Sequence, residues 1–177
     1  MSATHYISNN TLSLEELNTI IEENHTLALS EEAIANINKC REYLDNKMQT
    51  ETNPIYGINT GFGSLYSVKI SNEDLTTLQE NLMKSHACGT GDEVPHSIVK
   101  IMLLLKIKSL CYGNSGVQLV TVECLIDFYN NNILPVVYTQ GSLGASGDLS
   151  PLAHLCLPLI GEGEVFMNGN RITAKQM

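Results

Sequence analysis

The tripeptide Ala145-Ser146-Gly147 can build an electrophile out of its own backbone. The Gly147 amide nitrogen can attack the Ala145 carbonyl carbon, close a five-membered ring and expel water. Ser146 can then lose its hydroxyl as a second water, which leaves a methylidene-imidazolone with a reactive alkene. Each residue type suits its place. Glycine at the attacking position has no side chain in the way and tolerates the dihedrals of the ring. Serine carries the leaving group on Cβ, and alanine is small enough for a tight bend. Ordinary side chains act as nucleophiles, acids and bases, so a strong electrophile must be borrowed or made. The same residues also read as a glycine-rich turn leading into a helix, or as an anion site at that helix's N-terminus. No G-K-[ST] accompanies them to support nucleotide binding. Asp148 follows directly, and an aspartate there can cap the next helix.

The elements that would position these residues are mostly helical. Ser13-Leu14-Glu15-Glu16 reads as a capping box before Leu17, Ile20 and Ile21. Leu27-Ala28-Leu29 reads as a short strand, and Ser30 caps a helix with Ile34, Ile37 and Leu44 at helical spacing. Pro54 to Ser67 reads as a loop of the kind that forms mobile lids. Ser71-Asn72-Glu73-Asp74 starts a second capped helix that runs to about His86, and Gly89-Thr90-Gly91-Asp92 breaks it. A long helix is expected from Pro95 or His96 to Cys111, and another from after Gly116 to about Tyr129, ended by Asn130-Asn131-Asn132. Pro135 to Gly147 is expected to be loop. A short helix over Leu149 to Leu159, with Pro151 in its first turn, follows. Val165 to Met167 and Arg171 to Thr173 flank Asn168-Gly169, which suits a type I′ hairpin.

Composition narrows the function. The 177 residues make one domain's worth of core, with no internal repeat and no visible boundary. A net charge of −9 without a basic tract argues against nucleic acid as a partner. The five cysteines are scattered, form no C-x-x-C pair and have no zinc spacing, so no metal is expected. They fit reduced, mostly buried thiols in a cytoplasmic protein. The N-terminus lacks a signal pattern, and Ile98 to Leu110 is too short and too interrupted by lysines to span a bilayer.

The stretch Gln140 to Leu155 closely resembles the signature of the aromatic amino acid ammonia-lyases, which make a methylidene-imidazolone autocatalytically. Asn53-Pro54-Ile55-Tyr56-Gly57-Ile58-Asn59-Thr60-Gly61-Phe62-Gly63 resembles the family's tyrosine-bearing loop. Leu78 to Ala87 resembles its substrate-side helix. Further similarity runs through Leu105-Lys106-Ile107, Gly113 to Val117 and Leu159 to Val165, in the family's order.

The resemblance implies a mainly α fold, the N-terminal part of the helical ammonia-lyase (fumarase/aspartase-like) architecture, with short strands and a C-terminal hairpin. Residues 1–177 would be the part of a subunit that bears the prosthetic group, truncated before the central helical bundle is complete. The whole protein would be a homotetramer whose active sites combine several subunits. This stretch alone is expected to be inactive, because further catalytic residues of the family lie downstream.

The resemblance also assigns roles. Ala145, Ser146 and Gly147 would form the prosthetic group, and Asp148 would support ring formation. Tyr56 would be the base that removes the substrate's β-proton; its ordinary reading is a loop tyrosine packed on a helix. A phenol has an ordinary pKa of about 10, so such a base needs a positive or hydrogen-bonding neighbourhood. His86 would face the substrate side chain, where phenylalanine-specific members tend to be apolar. A histidine there can hydrogen-bond an imidazole or a phenol and gains nothing from a bare phenyl. Histidine there resembles the histidine-specific branch, which converts L-histidine to trans-urocanate and ammonia, and also some tyrosine-specific members; Lys106 looks more like the histidine branch. A tyrosine ammonia-lyase or aminomutase, or a non-catalytic helical piece, are the alternatives. His154 is expected to be structural. Lys108 departs from the family's usual asparagine and leaves the hydrogen bonding there open.

Overall fold

In the computed structural model, which describes residues 3–145 and 147–177, the elements run β1 (Thr4–Ile7), α1 (Leu14–Glu22), β2 (Thr26–Leu29), α2 (Glu31–Thr50), α3 (Leu75–His86), β3 (Thr90–Glu93), α4 (His96–Cys111), α5 (Leu119–Asn130), β4 (Leu134–Pro135), β5 (Tyr138–Gln140), α6 (Ser150–Cys156), β6 (Glu164–Met167) and β7 (Asn170–Thr173). Helices dominate, as expected. The chain forms two compact units, each assembled from separated stretches: Met1–Gln49, Pro95–Leu134 and Phe166–Arg171 in one, Thr50–Val94, Pro135–Val165 and Ile172–Met177 in the other. That interleaving leaves no linear boundary for a sequence to reveal.

In the first unit, local chemistry sets the element starts. The Ser13 hydroxyl accepts from the Glu16 N–H (3.1 Å) while the Glu16 carboxylate accepts from the Ser13 N–H (2.9 Å). Two N–H groups that a helix start leaves orphaned are thereby satisfied. Ser30 caps α2 through the Ala33 N–H at 3.2 Å. β1 and β2 pair in parallel, Thr4 opposite Thr26 through Ile7 opposite Leu29. On β2's other edge, the Asn130 side chain accepts from the Leu27 N–H (2.7 Å) and donates to its carbonyl (2.9 Å), standing in for a neighbouring strand.

α4 and α5 pack together, with Leu103, Leu104, Ile107, Val122 and Leu125 essentially inaccessible. α4 is apolar on its exposed side too, at Ile98 and Leu105. The buried Lys108 ammonium donates to the carbonyls of Ser8 and Asn10, so the lysine that departs from the family pattern ties the β1–α1 loop to α4.

In the second unit, β3 pairs antiparallel with β5, Thr90 opposite Gln140 and Glu93 opposite Tyr138, and the Val94 N–H donates to the Val137 carbonyl (2.8 Å). The sequence reading places only loop at both strands. Neither shows apolar alternation, because each is held by a partner far along the chain. The start of α3 also differs. A 3₁₀ turn over Asn72–Asp74 precedes it, and the Ser71 hydroxyl donates to the Asp74 carboxylate (2.7 Å) instead of capping a backbone N–H. The expected hairpin forms from β6 and β7, its tip Phe166–Arg171 counted in the first unit, with β4 along the other side of β6. Asn168 (φ 52°) and Gly169 (φ 77°) are both left-handed, as a type I′ turn requires.

The cysteines are less buried than expected. Only Cys111 is buried, and burial pushes its thiol up to about 11; Cys40, Cys124 and Cys156 are half-buried, and Cys88 is exposed.

Candidate active site

The Pro54–Ser67 loop is held by polar groups within it and by α3. Asn59 is fully buried, and its Oδ1 accepts from the Ile55 N–H (2.6 Å). The Thr60 hydroxyl, also buried, accepts from the Gly57 N–H (3.2 Å). From α3, the Gln79 amide donates to the carbonyls of Gly57 (3.2 Å) and Ile58 (3.0 Å). These bonds satisfy backbone groups that a loop otherwise gives to water. They leave Tyr56 61% exposed, so its ring stands open to a cleft. The Tyr56 oxygen accepts from the Gly63 N–H at 3.5 Å.

His86 is the last residue of α3. Its Nδ1 lies 2.7 Å from the Leu82 carbonyl oxygen, one turn back. Phe62 stands between His86 and Tyr56. Its ring meets the His86 ring edge-on (5.3 Å, 77°) and the Tyr56 ring at a tilt (5.6 Å, 47°), arrangements that favour aromatic pairs. Tyr56, Phe62, Leu82, Ser85, His86 and Leu149 line one open cleft of about 690 Å³, together with Gly63, Ser64 and Leu65.

The structure therefore brings Tyr56 and His86 to a common cleft. Phe62, Gln79 and Ser85 belong to the same constellation and are not singled out by sequence reasoning. A signal for the α3 members existed, since Gln79, Leu82 and His86 recur at i, i+3 and i+7 on one helix face. Nothing local to Phe62 announces that its ring spans two others.

Ala145, Gly147 and Asp148 lie on an exposed loop that ends at Leu149; the expected leaving-group residue Ser146 lies outside the described residues. The Gly147 N–H donates to the Gly144 carbonyl (3.1 Å), closing a tight turn, and Gly147 has φ +89°, which only glycine adopts readily. Glycine at 147 puts no side chain beside the attacking nitrogen, so the residues fit the implied prosthetic group.

Asp148 braces the bend. Its Oδ1 accepts from the Ser142 N–H (2.8 Å), the Ser142 hydroxyl (3.3 Å) and the Ser150 N–H (3.0 Å). These bonds, that from the Ser142 N–H foremost, hold its carboxyl below the ordinary 3.8. The same carboxylate thus braces the loop and satisfies an N–H in the first turn of α6, as the helix-capping reading expects. At Gly141, an added Cβ would overlap the Asp148 carboxylate. Gly141→Ala is therefore expected to displace Asp148 and lower the fraction of chains that cyclise. Intact mass reads this directly, because each cyclised, dehydrated chain is lighter by two waters.

His154 on α6 is buried, and its Nε2 accepts from the Gly89 N–H (2.9 Å). Its ring stands edge-on to Tyr138 (5.2 Å, 77°), and burial lowers its pKa from 6.5. This is the structural role expected of it.

The sequence profile described as aromatic amino acid lyase matches residues 12–177. The chain belongs to this family. It is 45% identical over 170 residues to a histidine ammonia-lyase of Myxococcus xanthus, covering 96% of this chain and 33% of that protein. Among solved structures it is similar to histidine ammonia-lyase from Trypanosoma cruzi, with a TM-score of 0.86 and 32% identity over 98% of this chain and 34% of that one. It is similar also to the ergothioneine-degrading enzyme ergothionase from Treponema denticola, with a TM-score of 0.91 and 28% identity over 98% of this chain and 34% of that one. The aromatic amino acid lyase chain described here spans about a third of the length of these relatives. Among the described residues, no group of three or more His, Cys, Asp or Glu could hold a metal ion, and no helix is long and apolar enough to cross a membrane.

Proposed function

We propose that the complete polypeptide is an ammonia-lyase that converts L-histidine to trans-urocanate and ammonia without oxidation. The observation that carries this reading is the convergence of Tyr56 and His86 on one cleft, with Phe62 between them. Identity of 42–46% to histidine ammonia-lyases along nearly the whole of this chain supports the substrate.

The methylidene-imidazolone formed from Ala145, Ser146 and Gly147 supplies the electrophile that side chains lack. Asp148 and Gly141 hold the loop from which it forms. Tyr56 takes the β-proton of the substrate at its phenolic oxygen, and His86 holds the substrate ring from the far side of Phe62. Leu82 and Leu149 supply apolar wall to the cleft. Assembly as a cytoplasmic homotetramer, with sites completed by neighbouring subunits, is part of the same proposal.

His86 serves a phenol as well as an imidazole, so a tyrosine ammonia-lyase or aminomutase is the second reading. Comparing kcat/KM for L-histidine and L-tyrosine with the complete polypeptide separates the two. Release of urocanate at the higher kcat/KM is expected, and a preference for tyrosine overturns the substrate.

A further inference from the structure

We propose that His154 is a positioning residue for the reaction, fixing the distance between the electrophile-forming loop and the end of α3 that carries His86. This rests on the cleft being the substrate site. It goes beyond that reading by giving a side chain outside the cleft a share in the rate.

One hydrogen bond joins α6 to the turn after α3, both in the second unit. A backbone N–H can only donate, so the 2.9 Å contact from Gly89 makes His154 Nε2 the acceptor. The imidazole is then neutral, and its burial favours that form.

Each end of this bond is tied to a reacting group. On the α3 side, the Ala87 N–H donates to the Met83 carbonyl (3.2 Å) and the Cys88 N–H to that of His86 (2.9 Å), so Gly89 follows His86 through a hydrogen-bonded turn. On the other side, Asp148 accepts from the Ser150 N–H at the start of α6 (3.0 Å) and from the Ser142 N–H (2.8 Å). The electrophile-forming residues lie between those two serines. A shift of α6 against Gly89 therefore moves the loop against His86.

The contact has no slack. A Cβ added at Gly89 would stand 3.0 Å from His154 Cδ2, from His154 Nε2 and from the Ser150 hydroxyl oxygen. Gly89 has no positive φ, so close packing against α6, not backbone conformation, is what favours glycine there. Tyr138 packs edge-on against the same imidazole (5.2 Å, 77°). Elimination needs one substrate held at its ring and at its amino end together, and a misplacement of about 1 Å between two such holds can cost about 10²-fold in rate.

The test uses the complete polypeptide with His154→Gln, His154→Asn and Gly89→Ala. The glutamine amide reaches as far as the imidazole Nε2, and the shorter asparagine does not. Turnover is expressed per chain that has lost two waters, counted by intact mass. His154→Asn and Gly89→Ala are expected to lose about 10- to 100-fold in kcat on that basis. Inhibition by free imidazole, which reads the ring contact alone, is expected to stay as in the wild type. His154→Gln is expected to recover most of the rate.

A merely structural histidine would lower yield and Tm while leaving kcat per cyclised chain unchanged, and that result overturns the proposal. So does an asparagine variant as active as the glutamine one, or loss of imidazole inhibition in the variants. If His154→Asn does not fold, Gly89→Ala decides, since it keeps the imidazole and disturbs only its seat. Wild-type preference for tyrosine overturns the substrate reading and leaves this test standing, with tyrosine as substrate and phenol as the ring probe.

Discussion

Replacing Ser146 with alanine in the complete polypeptide is expected to lower turnover by on the order of 10³-fold or more. Alanine has no hydroxyl to expel, so the second dehydration has no leaving group and the exocyclic alkene cannot form. Tyr56 and His86 remain on the cleft, but a base and a ring contact do not make an amine a good leaving group. The expected mass signature is equally sharp. The wild-type chain should be lighter than its sequence by two waters, and Ser146→Ala should lack at least the second loss. Unchanged turnover in the variant would remove the electrophile from the mechanism. So would a fully active wild-type chain at the uncorrected mass. Because Asp148 braces the loop through Ser142 and Ser150, the variant is expected to fold normally.

Tyr56→Phe should separate formation of the prosthetic group from its use. The phenyl ring can keep the tilted contact with Phe62, and the loop keeps its anchors in Asn59, Thr60 and Gln79. Only the oxygen is lost, and with it the acceptor for the Gly63 N–H. Ring formation lies in a loop that Tyr56 does not hold, so the two-water deficit should persist. Removal of the β-proton should suffer, with kcat falling about 10²- to 10⁴-fold, the range of a positioned general base. KM should move little, since the proposed contact to the substrate ring is made by His86. Normal turnover in this variant would exclude Tyr56 as the base. Loss of the mass deficit would instead place Tyr56 in ring formation.

Much of this was legible in residues alone because the signals are local. The Ser13 capping box, the α4 span, Pro151 in the first turn of α6 and the Asn168-Gly169 turn each depend on neighbours within a few positions. The chemistry of Ala145-Ser146-Gly147 is local too, being a reaction between adjacent peptide units. β3 and β5 were hidden for the converse reason. Thr90 to Glu93 is polar and short, and it becomes a strand only because Tyr138 to Gln140 lies beside it.

The sequence by itself determined the helical frame and marked Ala145-Ser146-Gly147 as a tripeptide able to form an electrophile, with Tyr56, His86 and Asp148 as further candidates. Tertiary structure alone decided that Phe62 sits between Tyr56 and His86, that Gln79 ties down the tyrosine loop, and that the Asp148 carboxylate occupies the space Gly141 leaves open. Covalent and one-turn interactions are written in residue order. Contacts across tens of residues exist only after the chain has closed, when packing and hydrogen-bond accounting select one arrangement among many.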